Sequence, residues 1–150
     1  MIPDEFDELR VLVVDDDVDA ANALSYLLQT CGIRTAVAFG GKMGLRLAHF
    51  FKPALVFLDL RMPGDDGCEV LAKAKRDGTL PRALYVCLTG SSEPAVADKC
   101  IAAGFNFFIR KPMQPAVLAE ILRAARSHAS LRRRRRRGSS WPGLRDRRAH

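Results

Sequence analysis

Short apolar runs and helical patterns alternate five times along this chain, and that alternation restricts its folding more than any other feature. Val11 to Val14 reads as a buried strand. Asp19 to Thr30 follows it with Leu24, Leu27 and Leu28 at helical spacing and Gly32 as a C-terminal cap. Thr35 to Phe39 is a second strand, and the Gly40-Gly41 turn opens a helix from Lys42 to Phe51 that Pro53 closes. Leu55 to Leu58 is a third strand, Cys68 to Arg76 a helix ended by Asp77-Gly78 and Pro81, and Ala83 to Leu88 a fourth strand. Glu93 to Ala103 is helical up to Gly104. Phe105 to Ile109 makes the fifth strand, and Pro115 starts a last amphipathic helix with Val117, Leu118, Ile121 and Leu122.

Parallel neighbours need crossover connections, and helices are the usual ones, so this order predicts an α/β fold with a parallel sheet covered on both faces. Ligands of such sheets bind outside the carboxyl ends of the strands. Four of the runs end there on a chemically pointed residue: VLVV at Asp15-Asp16-Asp17, LVFL at Asp59, LYVCL at Thr89 and FNFFIR at Lys111-Pro112. Acids, a hydroxyl and an ammonium would share one pocket. Neither G-x-G-x-x-G nor G-x-x-x-x-G-K-[ST] occurs, which excludes the two common nucleotide-phosphate loops.

Carboxylates converging from two strands repel one another unless a hard cation lies between them. Mg²⁺ suits such an open oxygen site, because it binds through one or two carboxylates, keeps waters and leaves room for a phosphoryl group. Asp59 is then the candidate nucleophile, forming an acyl phosphate while the metal and Lys111 neutralise charge.

The remaining composition narrows the setting. The chain has 150 residues, enough for one domain, and 48% of them are hydrophobic, enough for a core. No apolar stretch approaches the roughly 20 residues of a membrane span, and MIPDEFDELR is acidic where a signal peptide would be basic, so a cytoplasmic protein is expected. Cys31, Cys68, Cys87 and Cys100 show no metal-ligand spacing and read as reduced thiols. The net charge of +7 is uneven: residues 1–131 hold 15 Lys/Arg and 16 Asp/Glu, whereas residues 132–150 hold nine Arg and one Asp. That packed positive charge, with Pro, Gly and little apolar content, predicts a disordered tail beyond a boundary near Ser130.

VLVVDDD, LVFLDLRMPGDDG, VCLTG and FFIRKP, in this order and spacing, resemble the receiver domain of two-component response regulators, the CheY-like group. The resemblance covers residues 9–128, leaving residues 1–8 as an N-terminal extension and 129–150 as a basic tail. It implies a flavodoxin-like, doubly wound sheet of five parallel strands in the order 2-1-3-4-5 with five helices. It also implies that Asp59 accepts a phosphoryl group from a phosphohistidine on a sensor histidine kinase or a histidine phosphotransfer protein. Asp16, Asp59 and the backbone carbonyl of Arg61 would ligate Mg²⁺, with Asp15 acting through a coordinated water and Asp17 accessory. Thr89 would bind the phosphoryl oxygen, Gly90 would leave the pocket open, and Lys111, before a cis Pro112, would pair with the carboxylate and then with the phosphoryl. Phe108 would be the aromatic whose rotamer accompanies activation. A downstream protein would bind the face of the fourth helix, fifth strand and fifth helix. Such a receiver is no enzyme, promoting only its own phosphorylation and dephosphorylation.

Plainer readings stand beside these. Asp17 or Asp19 can simply cap a helix, Phe105, Phe107 and Phe108 by type alone belong to a core, and His49 and His128 read as solvated helix residues. By the same resemblance, Arg61 and Ser91 would flank the path of an attacking water. The guanidinium of Arg61 either shields the phosphoryl or bridges to Asp65 or Asp66. An aspartyl phosphatase of the haloacid-dehalogenase type would need an acidic residue two after the nucleophile, where Arg61 stands, and without it the leaving group of a phosphoester is not protonated. A pseudo-receiver is a further alternative. The arginine block would bind polyanions, nucleic acid included, without a sequence code, and a solvated extension without function is the competing reading. Nothing after residue 131 is long or apolar enough for a helix-turn-helix output domain.

Overall fold

A computed structural model describes residues 9–79, 82–90 and 94–139. Five parallel strands form the main sheet: β1 (Arg10–Val14), β2 (Arg34–Ala38), β3 (Leu55–Asp59), β4 (Leu84–Thr89) and β5 (Phe107–Arg110), in the order 2-1-3-4-5. The helices are α1 (Val18–Thr30), α2 (Gly41–Phe51), α3 (Gly67–Arg76), α4 (Pro94–Ala103) and α5 (Pro115–Ser139). A small antiparallel pairing of Arg61–Met62 with Asp65–Asp66 follows β3. This is the parallel α/β sheet expected from the alternation, in the flavodoxin-like strand order that the resemblance implies. By compactness the chain divides between Met113 and Gln114.

The strands carry almost uninterrupted apolar residues because β1, β3 and β4 are interior strands, buried on both faces. Alternation sends Leu12, Val14, Val56, Leu58, Tyr85 and Cys87 into a core shared with Ala48 of α2, Leu71 of α3 and Cys100 of α4. Gly44 lets α2 approach closely: a Cβ there would meet Val14 Cγ2 at 2.8 Å.

Local chemistry sets the helix ends. Asp17 caps α1, its carboxylate accepting from Ala20 N at 3.2 Å. Gly32, at φ +76°, takes the left-handed turn that ends that helix and donates from its N to Gln29 O. The fifth strand begins later than Phe105. Phe105 N still closes α4 on Cys100 O, and Asn106 donates from its N to Tyr85 O while its side chain accepts from Tyr85 N, so regular pairing starts only at Phe107.

The final helix runs through Ser139, past the boundary expected near Ser130, so the arginine block begins on helical backbone. Arg is a strong helix former, and extending an existing helix requires no new nucleus and no buried side chain. Residues 1–8 and 140–150, with Pro81, Ser91 and the expected helix start at Glu93, lie outside the described residues.

Candidate acidic site at the carboxyl edge of the sheet

Asp15 directly follows β1 and is held by its own amide, which donates to Ala38 O at 3.0 Å. Asp59 ends β3. Since Val14 is in register with Leu58, the next step along both strands sets the two acids side by side. One carboxylate oxygen each of Asp15, Asp16 and Asp59 lies within 4.8 Å of the others. Asp15 and Asp59 are buried, and Asp16 is nearer the surface. Asp17 turns away to cap α1, and its amide donates to Asp15 Oδ1 at 3.0 Å, which orients that carboxylate.

Lys111, just beyond β5, brings the cation. Its Nζ is 2.7 Å from Asp15 Oδ2 and 3.5 Å from Asp59 Oδ1. Its backbone N donates to Thr89 O at 2.7 Å, and the bond to Pro112 is cis. Thr89 is buried at the end of β4, and Gly90 beside it is exposed. The strand endings predicted to meet therefore do meet.

The electrostatics follow from burial and crowding. Asp59 is pushed up from 3.8 to about 7, first by burial, then by the charge of Asp15, with Lys111 opposing the rise. Burial works against the charge of Lys111, yet its hydrogen bond to Asp15 and the two carboxylate charges outweigh it and raise the ammonium's pKa. Among the described residues, the Lys111 ammonium pairs with two of the three acids. An all-oxygen donor set short of positive charge fits a hard divalent cation such as Mg²⁺.

The mouth of the site was less legible. Gly67, inside the MPGDDG stretch, donates from its N to Leu60 O at 2.8 Å, and a Cβ there would sit 2.6 Å from Asp59 O and 2.9 Å from Leu60 Cα. Only glycine lets the start of α3 rest on the backbone of Asp59. Asp66 caps α3 through Cys68 N at 2.7 Å and faces Lys99 of α4 at 3.3 Å. Arg61 is exposed and, with Asp16, Met62, Pro63 and Gly64, borders an open groove beside the acids. Phe108 is half-buried against the core, beside Cys87 in register, and His49 is exposed as expected.

Residues 11–123 match the response regulator receiver domain. The chain belongs to that family. Over 115 residues this receiver is 35% identical to the DNA-binding response regulator MtrA of Mycobacterium tuberculosis, a match covering 77% of the chain and 49% of MtrA. The receiver thus spans about half the length of the curated MtrA relatives it matches. Among solved structures, a CheY-like receiver protein from Methanospirillum hungatei superposes with TM-score 0.75 at 24% identity, covering 83% of this chain and 98% of that one. A response regulator from Burkholderia pseudomallei, solved with a phosphorylated aspartic acid, calcium ion and citrate, gives TM-score 0.70 at 26% identity, over 86% of this chain and 73% of that one. Among the described residues no helix is long and apolar enough to cross a membrane.

Proposed function

We propose that this receiver takes a phosphoryl group onto Asp59 from a phosphohistidine of a sensor kinase or phosphotransfer protein in the cytoplasm. The observation that carries the reading is the buried Asp59 carboxylate beside Asp15 and Asp16, with Lys111 Nζ 3.5 Å away. Asp16, Asp59 and the Arg61 carbonyl would hold Mg²⁺, with Asp15 acting through a water. Bound there, the ion supplies charge neutralisation to the transferring phosphoryl group.

An Asp59 oxygen attacks phosphorus, the phosphorus–nitrogen bond of the donor breaks, and the imidazole departs without needing a general acid. Lys111 is shared between Asp15 and Asp59, so it can follow the negative charge onto the phosphoryl oxygens without leaving the site. The Thr89 hydroxyl receives a phosphoryl oxygen, and Phe108 adjusts as the end of β4 moves. A phosphoryl group changes output only by favouring one arrangement of the partner-binding surfaces, for which α4, β5 and α5 are the proposed elements. The Burkholderia protein's phosphorylated aspartic acid supports the acceptor role by family likeness.

The deciding experiment is intact mass after incubation with Mg²⁺ and a small-molecule phosphodonor, compared with Asp59→Asn. One added phosphoryl group on the wild type and none on the variant is expected. An unmodified wild type would make this a pseudo-receiver, and equal labelling of the variant would place the acceptor elsewhere.

A second activity follows from the nine arginines of residues 132–150, a block that begins on helical backbone. This segment would contact polyanions such as nucleic acid through their phosphates, without sequence preference.

A further inference from the structure

A pair of thiols is enclosed in the core beneath the acidic site. Cys87 of β4 and Cys100 of α4 hold their sulfurs 3.1 Å apart, and both residues are fully buried. That is closer than ordinary van der Waals contact between two sulfurs. Cys100 is also the one buried side chain of α4. Half-buried Val96 and Ala103 pack beside it, so the sulfur pair is the most deeply buried contact of the helix.

We propose that Cys87 and Cys100 form a redox modification site, in which a peroxide converts the two thiols into a disulfide that staples α4 to β4. One sulfur attacks a peroxide oxygen, the O–O bond breaks, and a sulfenic acid and one water result. The other sulfur then attacks the sulfenic sulfur, forming the S–S bond and releasing a second water. The thiols together lose two electrons and two hydrogens, and the peroxide is reduced to two waters. The two sulfurs are 3.1 Å apart, so the sulfenic acid is captured before it meets a second peroxide.

The closed core selects the oxidant. Only a molecule near the size of water reaches a fully buried sulfur without unfolding the helix, which favours hydrogen peroxide over bulky disulfides. Burial and the neighbouring Cys100 hold the Cys87 thiol well above its ordinary pKa, so thiolate is scarce and oxidation in the closed core is slow. Cys68 of α3 is buried, and the exposed Cys31 lies on another element. Because Cys87 is two residues from Thr89 and in register with Phe108, the bond would restrain α4 against the strand that ends at the acidic site. The inference stands independently of the phosphoacceptor reading.

The test uses the full chain with Cys31→Ser, so that no exposed thiol links two molecules. After dilute hydrogen peroxide the protein should be about 2 Da lighter, and alkylation should then find one thiol, that of Cys68, instead of three. Trypsin cutting after Lys73, Arg82 and Lys99 separates the three cysteines, and residues 83–99 should be found joined to residues 100–110 until a reductant is added. Amide exchange across residues 94–103 should slow by about fivefold or more in the oxidised form. Three alkylatable thiols after peroxide, a Cys68–Cys100 link, or oxygen additions without a link would each overturn the proposal. The wild-type mapping decides the matter even where Cys87→Ser or Cys100→Ser folds poorly.

Discussion

The Lys111 ammonium lies 2.7 Å from Asp15 and 3.5 Å from Asp59, so its tighter partner is the acid after β1 and not the one that ends β3. This arrangement leaves Asp59 the less neutralised of the two buried acids. Removing the ammonium should therefore leave two buried carboxylates crowded without compensation. Lys111→Ala is expected to lose about 1–3 kcal/mol of stability at neutral pH and much less at pH 4, where the acids can take up protons. Urea unfolding at both pH values measures the difference. An equal loss at both would mean that the side chain acts through packing alone.

Asp59 has a folded pKa of about 7 against an ordinary 3.8. A carboxyl group raised on folding stabilises the protein below its unfolded pKa, and that contribution is lost as pH rises through the folded value. In the absence of divalent cation, stability should therefore fall between about pH 4 and pH 7 through this group. Mg²⁺ should raise the melting temperature more at pH 8 than at pH 5, since it binds the ionised cluster. Thermal melts at the two pH values with and without Mg²⁺ check the sign. A larger gain at pH 5 would contradict the assignment of the acids as its ligands.

Gly67 rests on the Asp59 carbonyl, where an added Cβ would stand 2.6 Å away. Gly67→Ala must push the Asp59–Leu60 backbone or the start of α3, at a cost of about 1–3 kcal/mol. Because the displaced backbone carries the proposed acceptor, phosphoryl incorporation should slow as well. Denaturant midpoints and the labelling rate measure the two effects. A variant with wild-type values for both would show that the contact relaxes freely.

Removing residues 132–150 should abolish polyanion binding, since that segment holds nine arginines and one aspartate. With all of them in contact, affinity of the intact chain for duplex DNA should drop by about a thousandfold or more between 50 and 200 mM salt. Titration of labelled DNA at both salts, with and without the segment, checks this. Binding that survives truncation would move the contact to the receiver body.

Much of the site could be read from pattern because its parts stand at strand ends. Asp15, Asp59, Thr89 and Lys111 each terminate an apolar run, and in a parallel sheet such ends share an edge whatever the details of packing. Gly67 was harder to see. Its role depends on how closely α3 approaches β3, which no local signal encodes. The Asp66–Lys99 pair and the Cys87–Cys100 contact likewise join segments that only the packing of α3, α4 and β4 brings together. The extension of α5 through Ser139 was missed for a different reason. Charge density argues against a core, whereas a helix that is already nucleated needs only residues of good propensity.

The sequence by itself determined the strand and helix alternation, the parallel sheet and the meeting of acids, hydroxyl and ammonium at one edge, because these follow from hydrophobic periodicity and chain connectivity. Only the tertiary structure decided the partner preference of Lys111, the raised pKa of Asp59, the close approach at Gly67 and the sulfur contact in the core. Each of those depends on distances of a few ångströms and on exclusion of water, and both are set by packing between segments far apart in the chain.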